Sequence, residues 1–182
     1  MKDKFIFYSK SADKAPGEGK GEYTEDPYMY KGLASFTDWR KILGNFYECN
    51  FVYEGRTYKT VEHALQAKKF QAINQDLFES FALESESALS KGSGLDARKM
   101  RKTILLKETE LTKWDKEKIA HINNMHYEKF TQCLKAKEVL LATKDAELWH
   151  YLMRVPKGKN LQRWTNLETL RTQLKEAVNK KP

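Results

Sequence analysis

Cysteine is scarce in this chain of 182 residues: there are two, Cys49 and Cys133, far apart and in no CxxC pair. Four histidines, at 63, 121, 126 and 150, complete neither a zinc-spaced Cys/His set nor an HExxH. A disulfide scaffold is excluded, a reducing compartment is expected, and no metal and no cofactor is implied. No apolar run approaches the length of a membrane span. The start, Met1 to Tyr8, lacks the long apolar stretch of a secretory signal. The expectation is a cytoplasmic protein with no membrane partner. Arginine is also sparse, 7 against 26 lysines. Lysine is a diffuse, hydrated charge, whereas arginine is the fork that clamps phosphates and guanine edges. The net charge of +8 can therefore draw polyanions and phosphorylated substrates, or merely keep the surface solvated. It is a poor basis for sequence-specific DNA reading.

What is abundant is aromatic and charged. Nine Phe, nine Tyr and four Trp are too many for a disordered chain. A chain this long should bury roughly 70% of its unfolded surface and so build its own core. The pattern predicts a mainly α-helical fold, α+β with a small β-hairpin or sheet, as one compact domain over 1–182. Phe5–Tyr8 reads as a strand. Residues 9–22, with a proline and three glycines close together, read as a loop. That loop is either a mobile surface segment or a cradle whose backbone N–H groups approach phosphate. It has no Walker A ending. Trp39, Leu43 and Phe46 recur at near-helical spacing. Phe51–Tyr53 and Thr57–Tyr58 flank Gly55 as a hairpin. Thr60 caps a helix through Phe70. A second helix is expected over 74–89, and a basic stretch over 96–102. Thr112 and Asp115 suggest a capping box. From there to 142 runs one long helix or two, with Trp114, Ile119, Ile122, Met125, Phe130, Cys133, Leu134 and Leu141 buried. Asp145 reads as the cap of a helix carrying Leu148–Leu152. A last helix over 165–178 leads into a frayed basic tail, 175–182.

One constellation carries chemistry. Glu62, Gln66 and Lys69 fall on one face of the helix after Thr60, near its N-terminus. They form either a solvated face or a site in which a carboxylate activates water, an amide fixes a substrate and an ammonium answers its phosphate. Lys129 can reach a phosphate or sit at the surface. His63 reads as a histidine bonded into the core, and Cys133 as apolar packing.

The stretch Thr60-Val-Glu62-His63-Ala-Leu-Gln66-Ala-Lys-Lys69-Phe70 resembles the signature of the NADAR, or YbiA-like, family. Trp39 to Phe46 is similar to the family's segment ending in Ser-Asn-Phe, with Gly44 in place of Ser. Met125, Lys129 to Gln132 and Leu140 to Leu148 are similar to its second half, and Ser11 to Glu22 resembles the start of one branch. The family's C-terminal Trp-Gly and Gly-Asn-x-Leu-Gly motifs are reduced here to Trp164, Asn166-Leu167 and Leu170-Arg171.

The resemblance implies a hydrolase of N-glycosidic bonds between ribose and a heterocycle. Its substrate would be ADP-ribose on a base such as guanine, in nucleic acid included, or a ribosylaminopyrimidine phosphate of riboflavin synthesis. Glu62 and Asp145 are the catalytic candidates it implies. Tyr8, Arg40, Asn45, Gln66 and Lys69 are substrate-binding candidates, joined by Lys129. Asp145 is equally a helix cap; for Asn45 the alternative is a left-handed turn residue after Gly44. A module that binds ADP-ribose or nucleic acid without cleaving it, or an interaction protein, is the competing class.

Overall fold

The computed structural model describes residues 1–153, 155–156 and 158–179. In chain order its elements are β1 (Lys4–Phe7), α1 (Lys31–Ala34), α2 (Trp39–Leu43), β2 (Phe51–Tyr53), β3 (Arg56–Tyr58), α3 (Val61–Phe70) and α4 (Gln75–Ser80). There follow α5 (Ala88–Lys91), α6 (Gly94–Lys99), α7 (Glu108–Gln132), α8 (Leu134–Ala142), β4 (Glu147–Tyr151), β5 (Leu161–Arg163) and α9 (Thr165–Asn179). The fold is mainly helical with little strand, as the sequence pattern predicts. Among the described residues no helix is long and apolar enough to cross a membrane.

The chain forms two compact units, Met1–Gly44 with Leu134–Pro182, and Asn45–Cys133. In the first, β1 pairs in parallel with β4, and β4 antiparallel with β5. The register sets Phe5 beside Leu148 and Phe7 beside His150. Alternation sends Phe5 and Phe7 inward, fully buried. Phe5 meets Tyr30 and Trp39 edge-on, and Phe7 meets Trp164 in the same way.

In the second unit the hairpin β2–β3 turns on Glu54 and Gly55, both at positive φ, the backbone a tight two-residue turn requires. α3 packs against α4, α6 and α7. Val61, Ala64, Ala67 and Phe70 supply its apolar side, joined by Phe51, Tyr58, Phe78, Phe81 and Met125. Thr60 is extended, and its hydroxyl accepts the His63 N–H.

Several expectations are corrected. Asp145 caps no helix, because Glu147–Tyr151 is strand β4, its pairing satisfied by β1. The 74–89 segment is broken into α4, a single turn at Leu83–Ser85 and the start of α5, with Glu86 at positive φ. The long helix begins four residues before Thr112, where Glu110 accepts the Lys107 N–H. It stops at Cys133, which is extended, so α8 starts a new register. Ile119 and Leu134 are accordingly 54% and 69% exposed. The buried face of α7 is confined to Met125, His126, Lys129 and Phe130. Of the expected basic tail, residues 180–182 lie outside the described residues, as does Lys157 of the Pro156–Gly158 break.

Candidate functional site

The second unit gathers the chemistry at the start of α3. Glu62 is in the first turn, and its backbone N–H donates to the Asn45 carbonyl at 3.1 Å. That bond ties Asn45 to the helix entry. One turn on, Gln66 Nε2 donates to Glu62 Oε1 at 2.8 Å. Both side chains are buried, and among the described residues Gln66 Oε1 has no hydrogen-bond partner. The bond to Glu62 fixes the amide and leaves this acceptor without a donor among the described residues.

Burial raises the Glu62 pKa, and the opposing pulls of Gln66, Arg98, Arg101 and Lys69 do not cancel it. Three cations thus act on one carboxylate through their charge. Lys69 is itself shifted down, first by burial and then by repulsion from Arg101. Arg98 lies over the Phe46 ring, 5.8 Å from its centroid. α6, which carries Arg98, approaches Phe46 through Gly94, where a Cβ would meet Phe46 Cα at 3.1 Å.

α7 contributes His126 and Lys129, one turn apart. His126 Nε2–H donates to Asn45 Oδ1 at 2.7 Å. This orients the Asn45 amide and leaves its NH2 group facing elsewhere. Lys129 is 1% exposed, with its ammonium over the rings of Phe130 and Tyr47. Burial lowers its pKa to about 8 against the pull of the Cys49 and Cys133 thiols. Among the described residues, no three His, Cys, Asp or Glu side chains cluster as a metal site.

Residues 34–153 match the NADAR domain, a stretch that includes Asn45, Glu62, Gln66, Lys69 and Lys129. The chain belongs to the NADAR family. The NADAR match is joined by a likeness of fold. The NMR structure of the Escherichia coli protein YbiA superposes with a TM-score of 0.52 at 20% identity, over 98% of this chain and 87% of that one. No curated protein matches the sequence significantly.

Of the candidates read from sequence, Asn45, Glu62, Gln66, Lys69 and Lys129 belong to the second unit of this NADAR chain. Tyr8, Arg40 and Asp145 belong to the first. Tyr8 is half-buried, 5.2 Å from the Tyr151 ring. Arg40 is buried and fully engaged: it donates to the Lys14 and Ala15 carbonyls and twice to the Glu22 carboxylate. Glu22 also accepts the N–H groups of Ile6, Gly17 and Gly19. The glycine-loop donors expected to cradle a phosphate thus hold the chain's own carboxylate, which corrects that reading. Asp145 is exposed and paired with Lys175 at 2.9 Å, which lowers its pKa.

His63 is a core histidine: Nδ1 meets the Thr60 hydroxyl at 2.8 Å and Nε2 donates to the Leu89 carbonyl at 3.1 Å. Sequence reasoning missed Arg98, Arg101 and His126. The i,i+3 spacing of the two arginines within the basic stretch was the available signal. His126 had none, because its partner Asn45 is remote in sequence.

Proposed function

We propose that this protein hydrolyses an N-glycosidic bond between ribose and a heterocycle, removing ADP-ribose from a modified base such as guanine. Membership of the NADAR family supports a hydrolase-type role. The observation that carries the finer reading is the buried Glu62 carboxylate, bound by Gln66, acted on by the charge of three cations and beside an acceptor with no partner among the described residues. Breaking a ribosyl C–N bond builds positive charge on the sugar, and a desolvated carboxylate stabilises it. Water adds to C1′, Glu62 takes one of its protons, and the departing nitrogen must receive another. A carboxylate with a raised pKa is a better base for that water than an ordinary one.

Lys69, Arg98 and Arg101 hold the phosphates, so that binding positions the sugar. Gln66 Oε1 accepts from a ribose hydroxyl, and the Asn45 NH2 group donates to the ribose or the base. Lys129, with a pKa of about 8, is a proton source matched to neutral pH for the leaving heterocycle. The test is incubation with DNA carrying ADP-ribosylated guanine and, separately, with a ribosylaminopyrimidine phosphate. Release of ADP-ribose from the first is expected. Release of ribose phosphate from the second alone moves the substrate to the riboflavin-type compound. Binding without release in either leaves a recognition module.

A further inference from the structure

The last turn of α7 lies against residues 47–52. Lys129 sits under the Tyr47 ring, and Gln132 accepts the Val52 N–H at 2.7 Å while donating to the Val52 carbonyl at 2.9 Å. Cys49 falls between those anchors, and its thiol is hydrogen-bonded to that of Cys133, the residue that ends α7. The Cys133 N–H in turn donates to the Lys129 carbonyl at 2.9 Å. Both cysteines are half-buried, so a small oxidant can reach them. A buried ammonium beside two touching thiols is the electropositive setting in which a thiol becomes a nucleophile. We infer that Cys49 and Cys133 form an oxidisable dithiol that closes to a disulfide under a hydroperoxide, a modification site next to Lys129.

The hydrogen bond to Cys133, and then burial, push the Cys49 thiol up, and in the proposed closure Cys133, at the end of α7, is the sulfur that attacks. Cys133 sulfur takes the distal peroxide oxygen as the O–O bond breaks, giving a sulfenic acid and one water. Cys49 sulfur then displaces that hydroxyl, forming the S–S bond and releasing a second water with the Cys49 proton. Two thiols lose two electrons and two protons, and hydrogen peroxide accepts both. Closure replaces the two sulfur groups that face Lys129 with a neutral bridge, and ties the end of α7 to the entry of β2. The inference rests on the thiols alone and is independent of the glycosidase reading.

The experiment treats the full chain with hydrogen peroxide, then alkylates it under denaturing conditions and weighs it intact. The untreated protein should take two alkyl groups. The treated protein should take none, weigh two hydrogens less, gain no bridge between chains, melt higher and revert with dithiothreitol. Cys49→Ser should instead leave a Cys133 sulfenic acid that a dimedone probe traps, which the wild type does not. Two alkylatable thiols after treatment, sulfinic acids in the wild type, or bridges between chains would each overturn the inference.

Discussion

Replacing Glu62 by Gln keeps the side chain's length and leaves an oxygen to accept the Gln66 N–H, but removes the charge. Two opposite expectations follow. If the carboxylate serves only the helix N-terminus, its loss costs about 0.3–1 kcal/mol of stability and turnover is untouched. If it serves the reaction, the rate constant falls by roughly two orders of magnitude while affinity changes little, because the sugar turns positive only on the way to the transition state. The structure decides the sign of the stability effect. Folding raises the Glu62 pKa above its ordinary 4.5, since burial outweighs Gln66 and the three cations. The folded state therefore holds the proton more tightly than the unfolded chain. The group's contribution to stability is complete below 4.5 and is lost as pH rises through the raised folded value. At pH 7 to 8 the ionised carboxylate costs stability, so Glu62→Gln should melt no lower than the wild type. The advantage of the wild type should return as pH falls toward 4.5. Single-turnover rate and melting temperature, both taken from pH 4 to pH 8 on the same preparation, check both halves. Near-normal turnover with a lowered melting temperature at pH 7 would refute the reasoning and return Glu62 to a helix-end role.

Lys69→Ala should weaken ADP-ribose binding in calorimetry by about tenfold, the scale of one charge-assisted hydrogen bond; unchanged affinity would take Lys69 out of the phosphate site. Arg40→Ala should lower stability by about 3–5 kcal/mol in urea melts, because it strands the buried Glu22 carboxylate. If that variant unfolds normally yet binds ADP-ribose poorly, Arg40 is a ligand residue and not the loop's strut. Lys129→Met removes an amine whose folded pKa, about 8, lies below its ordinary 10.5. The stability linked to that depression is complete above 10.5 and lost as pH falls through 8, by on the order of 3 kcal/mol. The variant should therefore lose the wild type's rise in melting temperature between those values, and should lose any alkaline limb near pH 8 in the rate profile. Gly94→Ala forces Phe46 aside and should cost about 1–3 kcal/mol in thermal melts while raising KM.

The parts of the fold legible in sequence are those whose causes are local. The hairpin follows from the residues flanking Gly55, and α3 follows from Thr60 and the apolar spacing of Val61, Ala64, Ala67 and Phe70. β4 was misread as helix because Glu147–Tyr151 takes its conformation from β1 at the other end of the chain, through Phe5 beside Leu148 and Phe7 beside His150. No periodicity within five residues can report such a partner. The same limit explains α7. Its first half leaves Leu111 and Ile119 exposed, so spacing there overstated burial.

The candidate site divides along the same line. Glu62, Gln66 and Lys69 share one helix face, so their association was readable from spacing alone. The environment that makes Glu62 unusual was not. It comes from α6 and the single turn after it, Met100–Lys102, whose Arg98 and Arg101 respectively bring positive charge to a carboxylate more than thirty residues away in sequence, and from α7, whose His126 fixes Asn45. The glycine loop shows the converse. Its composition correctly signals an anion nest, since the Gly17 and Gly19 N–H groups and Arg40 converge on one carboxylate. Composition has no means of saying that the anion is Glu22, three residues beyond Gly19. A nest filled from within its own chain needs no phosphate for satisfaction. The unpartnered acceptor in the second unit, Gln66 Oε1, has no such internal answer, which is why the search for a ligand belongs beside Glu62.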